Sequence, residues 1–274
     1  MVSKQREMMM ALLRYACLFL AAAASFGAAV AAQQFPGLGT PISEPFRAMF
    51  ATCDRTDRFN GVQFPIRTKS GHTRFFGCHT DPSRFARFVE VPATGTASRA
   101  IIFESKLAHD RDGSPIACGS AGGPTDQCGT SLMLDPTPAH PCVIGTRTSC
   151  VPVNADEIPY VVLPVAAPPG IDAREFRRRT GLDFGDYGVV IANGRTIPVI
   201  VADGGPAYKI GEGSTALLQA LASDGRPHTI GSGVTFVLFP GSRDPRASLS
   251  PDTLARHVRD SGSALFAAFA AAHP

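Results

Sequence analysis

Five short apolar runs, separated by turn-forming residues, restrict this chain to a fold built mainly from β-strands. Each run is short, rich in β-branched side chains and bounded by residues that break regular structure, as is typical of buried strands. The runs are Ala100–Phe103, Pro159–Leu163, Gly188–Ile191, Ile197–Val201 and Val234–Phe239. Asn193-Gly194, between the third and fourth runs, predicts a tight β-hairpin. Pro198 in the second arm predicts an edge position or an irregular start.

Helical patterns are few and short. They cover roughly Thr215–Ala222, Pro251–Asp260 and Ala264–Ala271. Ser250 before Pro251 predicts a helix start, because serine caps helix N-termini and proline is favoured at the first helical position. We therefore expect one mainly β domain over residues 98–274, preceded by an irregular region over residues 33–97.

The first 32 residues predict a cleavable secretory signal peptide. Basic residues precede the apolar stretch Tyr15–Ala28, and the small residues Ala29–Ala32 follow it. The apolar stretch is shorter than the ~20 residues of a membrane-spanning helix. We therefore expect cleavage and a product that is soluble in the periplasm or outside the cell, with no membrane contact.

Without residues 1–32 the chain carries 23 basic and 22 acidic side chains. It has no basic run with interleaved aromatic residues and no helix with a basic stripe, so nucleic acid is not an expected partner. We expect a monomer.

The six cysteines after residue 32 form an even set in an exported chain, which predicts disulfide bonds. Their pairing is open; the shortest loops would join 53 to 78, 118 to 128 and 142 to 150. No C-x-x-C pair occurs, and the histidines are irregularly spaced, so we expect no metal and no other cofactor. The region between Cys118 and Cys150 is expected to be a disulfide-held surface loop of the kind that often lines binding sites.

One segment carries candidate chemistry. The apolar run that ends at Val201 delivers Asp203 to a glycine-rich turn, and Glu212 follows just before the helix at Thr215. Glycoside hydrolysis needs two such carboxyl groups, one to donate a proton and one to activate water or attack carbon. The structural alternative is that Asp-Gly-Gly-Pro forms an ordinary turn and Glu212 lies in the first turn of a helix.

The segment from Ala100 to Pro240 resembles glycoside hydrolase family 75, the chitosanases first known from fungi. The resemblance covers about half of the chain, and the order and spacing of its pieces agree. The matching pieces are Phe103–Pro115, Asp126–Leu132, Ile158–Pro164, Gly185–Val190 and Asp203–Ser214.

The resemblance implies hydrolysis of β-1,4-linked glucosamine polymers with inversion at the anomeric carbon, and Asp203 and Glu212 as the catalytic carboxyl groups. Inversion requires these groups to stand about 6.5–9.5 Å apart. Glu212 is our first choice as acid and Asp203 as base, and the reverse assignment stays open.

Five other residues are candidates for binding the substrate. Asp110 and Asp112 either receive the ammonium of glucosamine or form a solvated turn. Lys106 either contacts a sugar oxygen or pairs with a carboxylate, and Asp186 either binds substrate or closes a turn. Tyr208, like Tyr160, either stacks on a sugar or packs in the protein.

The order of strand, Asp-Gly-Gly-Pro and short helix also looks like that of double-psi β-barrels such as expansins and lytic transglycosylase-like proteins. We therefore expect a six-stranded, double-psi-like β-barrel with a few short helices and disulfide-held loops. Fold alone does not set function. The alternatives are a barrel protein that binds polysaccharide or acts on peptidoglycan, and a non-catalytic exported inhibitor or effector.

Overall fold

The computed structural model describes residues 40–41, 65–67, 73–75, 88–120, 126–137, 150–166, 174–206, 210–244 and 247–274. All of them belong to one unit, Leu38–Pro274. The proposed signal peptide, Tyr208 and three of the cysteines expected to pair, Cys53, Cys78 and Cys142, lie outside the described residues.

Strands dominate the described part of the chain. They are β1 Thr40–Pro41, β2 Pro65–Arg67, β3 Thr73–Phe75, β4 Phe88–Val91, β5 Ala100–Asp110, β6 Met133–Leu134, β7 Val151–Pro152, β8 Tyr160–Ala166, β9 Tyr187–Ala192, β10 Arg195–Pro206, β11 Glu212–Ser214 and β12 Ile230–Leu238. The helices are α1 Pro115–Ser120, α2 Glu175–Thr180, α3 Thr215–Leu221 and α4 Pro251–Ala272, with a 3-10 turn at Asp126–Cys128. All five predicted strands are present, and most extend beyond the predicted runs.

Six strands close into a barrel in the order β5, β11, β8, β10, β9, β12, with β12 pairing back onto β5. The β5–β11 and β8–β10 pairings are parallel, and the other four are antiparallel. The expected mainly β fold with a closed six-stranded barrel is confirmed. Outside the barrel, β4 pairs with the first residues of β5, and β1 pairs with β4.

The β9–β10 hairpin forms where the Asn-Gly dipeptide predicts it. Ala192 pairs with Arg195, so the loop has two residues, and both Asn193 and Gly194 adopt positive φ, as a type I′ turn requires. Pro198 pairs with Val189 on β9, whereas the pairing of β10 with β8 begins only at Ile200. Pro198 therefore lies where β10 is paired on one side, and its missing N–H breaks no ladder.

The barrel interior is filled by alternate side chains of its strands. Members of this core include Phe103, Val161, Val190, Val201 and Phe236, and α3 adds leucines. The rings of Phe103 and Phe236, paired across β5 and β12, stack with their centroids 4.4 Å apart. Because residue i and residue i+2 of a strand share a face, the intervening residues of these strands point outward.

Helix α4 packs on the outside of the barrel as one continuous helix of 22 residues. The prediction of two helices separated near residue 262 is wrong. A Cβ on Gly262 would lie 2.8 Å from the carbonyl oxygen of Gly188 and 2.9 Å from Cβ of Pro198, so the glycine allows close packing against β9 and β10 instead of ending the helix. The predicted start at Ser250 is confirmed, with a reciprocal capping box to Thr253. No described helix is long and apolar enough to cross a membrane.

The described part of the segment between Cys118 and Cys150 contains the end of α1, the 3-10 turn and strand β6. Cys118 and Cys128 form the expected disulfide, with their Cα atoms 4.6 Å apart. Cys150 is also disulfide-bonded. Strands β6 and β7 pair with each other, and Leu134 and Val153 are buried in a second apolar cluster, shared with the outer face of the barrel and with α4. This packing places Ser131 against the outer face of the barrel, where it contacts Asp203.

Candidate active site on the outer face of the barrel

The end of β5 and the short strand β11 bring acidic side chains onto the outer face of the barrel. Leu107 points into the core, so Lys106, Ala108 and Asp110 point outward. Glu212 is the register partner of Ala108 across the parallel β5–β11 pair. Residues opposite each other in a sheet share a face, so Glu212 lies between Lys106 and Asp110 on that face.

Asp203 reaches the same face through an irregularity in β10. The β10–β8 register shifts between Val201 and Asp203, which sets Asp203 opposite Val162. Val162 belongs to the outer apolar cluster. Asp203 is only 6% exposed. Its Oδ1 accepts hydrogen bonds from both the backbone N–H and the Oγ–H of Ser131, each 2.8 Å long, and two donors on one oxygen stabilise a negative charge there.

Asp110, Asp112 and Asp203 form an acidic cluster. One carboxylate oxygen from each lies within 4.8 Å of the others. The backbone N–H of Asp112 donates to Asp110 Oδ1 over 3.1 Å, which fixes the turn after β5. Oxygens spaced in this way have the geometry of cation ligands, but such clusters are common in proteins that bind no metal. The sequence gives no signal for this proximity, because Asp203 is more than 90 residues away from the other two.

Tyr160 lies beneath the cluster and is fully buried. Its hydroxyl oxygen lies 2.8 Å from the backbone carbonyl of Asp112 and 3.2 Å from Asp110 Oδ2. Of the two roles considered for this tyrosine, stacking on a sugar and packing in the protein, its ring takes the second. The phenol is nevertheless in contact with a candidate site residue.

The Asp110 carboxyl group has an altered pKa. Burial raises it most, and the charges of Asp203 and Glu212 raise it further, to about 6, against the opposing effect of the hydrogen bonds from Asp112 and Tyr160. A carboxyl group with a pKa this high keeps its proton in weakly acidic solution. The cluster therefore joins a carboxyl group with a raised pKa, Asp110, to Asp203, whose Oδ1 accepts two hydrogen bonds from Ser131.

Glycines leave space around Glu212, which is itself 8% exposed. A Cβ on Gly205 would lie 3.2 Å from Glu212 Oε2, so the carboxyl group lies directly against the backbone of β10. Gly211 has φ +79°, and a Cβ there would lie 2.2 Å from the carbonyl oxygen of Lys106. Only glycine permits this approach of β11 to β5, and the approach sets Glu212 opposite Ala108, two residues before Asp110 on β5.

Asp186 lies in the turn before β9 and is 1% exposed. Its Oδ2 accepts from the N–H of Asp183 over 2.9 Å and its Oδ1 from the N–H of Arg243 over 3.1 Å. Burial raises its pKa. Both oxygens are engaged in holding this loop, so the structure favours the turn-closing interpretation over substrate binding.

The structure thus brings together Asp110, Asp112, Asp203 and Glu212, with Lys106 on the same face. Ser131 is a site residue that the sequence reasoning did not single out. Ser131 lies in Asp126–Leu132, one of the segments that carry the family resemblance, and this position could have identified it as a candidate. The sequence analysis considered only the ring of Tyr160. The contact of its hydroxyl with Asp110 exists because the barrel brings β8 and β5 together.

No known protein family matches the chain, and no curated protein matches it at a significant level.

Proposed function

We propose that this protein is a secreted chitosanase, a glycoside hydrolase that cleaves β-1,4-linked glucosamine polymers by an inverting mechanism. The observation that carries the proposal is the convergence of four carboxyl groups, Asp110, Asp112, Asp203 and Glu212, on one face of the barrel. They come from three separate parts of the chain, and glycines lie beside them. The family resemblance, which names Asp203 and Glu212, supports the same activity.

The charge of the site suits the charge of the substrate. Glucosamine units carry ammonium groups in weakly acidic solution, and carboxylates within a few ångströms attract them. Asp112 and Asp203 offer such charges beside Asp110. Neutral polysaccharides would gain no charge attraction from this cluster and anionic ones would be repelled, which favours a deacetylated polymer as the substrate.

Hydrolysis needs one ionised carboxylate and one protonated carboxyl group. The two hydrogen bonds that Ser131 donates to Asp203 Oδ1 fix the position of this carboxyl group and support Asp203 as one member of the pair. Glu212, on the neighbouring strand, is the second carboxyl group of the proposed pair. Lys106, on the far side of Glu212 from Asp110, is proposed to contact a sugar oxygen or the Glu212 carboxylate.

The test is the release of reducing ends from soluble, highly deacetylated chitosan by the purified protein. We expect Glu212→Gln and Asp203→Asn each to lower the rate by about 100- to 10,000-fold, the contribution typical of a general acid or base. Glu157→Gln and Asp260→Asn, which remove exposed carboxylates elsewhere, are matched controls and should leave the rate unchanged.

Chitosan binding without any release of reducing ends would replace the enzyme proposal with the polysaccharide-binding alternative. The absence of both binding and cleavage would favour an exported inhibitor or effector. If the control variants lost as much activity as the site variants, the loss would be due to a general disturbance of the folded protein.

Export is part of the proposal. The Cys118–Cys128 disulfide is compatible with an oxidising compartment. The mass of the protein recovered from the periplasm or the culture medium should correspond to cleavage after residue 32, and recovery of uncleaved protein in the cytoplasm would contradict it.

A further inference from the structure

The outer face of β5 continues from the acidic site toward the start of the strand. Buried and half-exposed residues alternate from Phe103 to Leu107. Phe103 and Leu107 belong to the barrel core, so Glu104 and Lys106 between them point outward. Glu104 is thus a further carboxyl group on the face that carries Glu212, and the proposed reaction gives it no role.

Glu104 is half-buried and is not neutralised by a partner. No hydrogen bond or ion pair joins its side chain to any described residue, whereas Glu90 pairs with Arg99. Its cross-strand neighbour on β12 is Thr235, which is uncharged. A carboxylate in such a setting attracts a cation from outside the protein, because the partly buried surroundings weaken the charge less than bulk water does.

A bulge in β12 lies beside Lys106. The register of β12 against β5 shifts between Ile230 and Val234. Three residues, Gly231–Gly233, there stand opposite a single residue of β5, Lys106. All three are exposed and have small side chains. Bulges of this kind occur at the rims of barrels and next to active sites, and the small side chains leave room for a sugar beside Lys106.

We propose that Glu104 binds the ammonium group of a second glucosamine unit, so that the substrate chain lies along the outer face of β5. This inference rests on the proposed chitosanase function and keeps Asp203 and Glu212 as its catalytic pair. It defines the substrate more closely, as a run of deacetylated units rather than a single one at the point of cleavage.

The position of Glu104 suits a sugar unit away from the bond that is cleaved. Glu104 lies four residues along β5 from Ala108, the register partner of Glu212. Four residues at about 3.3 Å each span about 13 Å. A single sugar ring is shorter than this, so only an oligomer reaches both carboxyl groups.

The order of charges along β5 also suits a β-1,4-linked chain. Successive units of such a chain are turned over relative to each other, so the ammonium groups of alternate units face the same side. Glu104 and Asp110 place carboxyl groups at two separated points of the face, and Lys106 lies between them. Lys106 would repel an ammonium group, but it can donate a hydrogen bond to a hydroxyl group of the intervening unit.

The experiment measures the binding of two hexamers, one of glucosamine and one of N-acetylglucosamine, to protein that carries Glu212→Gln so that neither is cleaved. Adding Glu104→Gln should weaken binding of the glucosamine hexamer by about tenfold, as expected for the loss of a hydrogen bond between charged groups. Binding of the N-acetylglucosamine hexamer, which has no ammonium group, should change by less than about twofold. Glu157→Gln, which removes an exposed carboxylate elsewhere, is the matched control and should alter neither.

The kinetics of chitosan cleavage give a second readout, in protein with Glu212 intact. Glu104→Gln should raise KM by about tenfold and leave kcat within about twofold, because Glu104 contacts a unit away from the reacting bond. Added salt should reduce the difference between this variant and the wild type, since it screens the attraction between carboxylate and ammonium.

Unchanged binding of the glucosamine hexamer in Glu104→Gln, or equal weakening of both hexamers, would overturn the role of Glu104 while the chitosanase proposal stands. A fall in kcat with KM unchanged would also overturn it. A wild-type protein that neither binds nor cleaves chitosan would instead remove the proposed function, and the role of Glu104 with it.

Discussion

The inner and outer faces of the barrel are formed by the same strands but are stabilised by different interactions. On β5, Phe103 points inward and stacks on Phe236, whereas Asp110 points outward and contacts Tyr160 through single, directed hydrogen bonds. The inner face is held together by apolar burial, which is non-directional and tolerates changes of side chain that keep the volume. The outer face depends on particular atoms, because a buried polar group that loses its hydrogen-bond partner is costly.

The strongest test of this contrast is a cavity in the core. Phe236→Ala should lower the free energy of unfolding by about 3–5 kcal/mol, because a stacked, buried ring leaves space that its neighbours do not fill. Denaturant unfolding with the disulfides kept oxidised measures the change. Glu212→Gln, which keeps the size of the side chain and changes only its polar atoms, should cost less, about 1 kcal/mol. If the two variants were equally destabilised, the division between a stabilising inner face and a reactive outer face would fail.

A smaller effect is expected from the outer face, and it should depend on pH. Burial and the charge of Asp203 raise the pKa of Asp110 from 3.8 to about 6, so the folded protein binds this proton more tightly than the unfolded chain does. The resulting stabilisation is complete below about pH 4 and is lost as pH rises through about 6. Such a shift corresponds to at most about 3 kcal/mol.

Asp110→Asn removes this dependence, because asparagine is neutral throughout. Relative to the wild type, the variant should gain stability between pH 3.5 and 7.5, which unfolding curves across that range will show. Asp260→Asn, on the exposed face of α4, is the matched control. A constant difference between Asp110→Asn and the wild type would mean that folding does not change the pKa of Asp110.

The smallest effect concerns the packing of α4. Gly262→Ala adds a methyl group 2.8 Å from the carbonyl oxygen of Gly188, and overpacking of this kind costs about 1–3 kcal/mol. The higher helix propensity of alanine relative to glycine offsets about 1 kcal/mol of this cost. We expect a net loss of about 1 kcal/mol in thermal or denaturant unfolding, against no loss in Ser263→Ala, an exposed neighbour. A net gain would show that the helix is not held close to the barrel at this point.

Much of the fold is readable from local patterns. The five apolar runs, the Asn193-Gly194 turn and the Ser250 cap all act over a few residues, and the structure has each of them. Strand β11 was missed because a run of three residues, Glu212–Ser214, is too short to show a period. The interruption predicted between Asp260 and Ala264 was wrong, because the local pattern does not show that Gly262 packs closely against β9 and β10.

The candidate site was predictable only in part. Asp110, Asp112, Asp203 and Glu212 were all named, because a family resemblance and the position of carboxyl groups at the ends of apolar runs pointed to them. Their grouping was not predictable, and neither was the choice between the two roles considered for Asp186, because one of its oxygens is held by Arg243, 57 residues away.

The sequence by itself determined the β-rich class, the hairpin, the start of α4 and the residues with reactive groups, because these depend on near neighbours along the chain. The tertiary structure alone decided that Asp110 meets Asp203, that Ser131 holds Asp203 and that Tyr160 faces Asp110. These contacts join residues 50 to 93 positions apart. They exist because the parallel pairings β5–β11 and β8–β10, each joining strands distant along the chain, close the barrel.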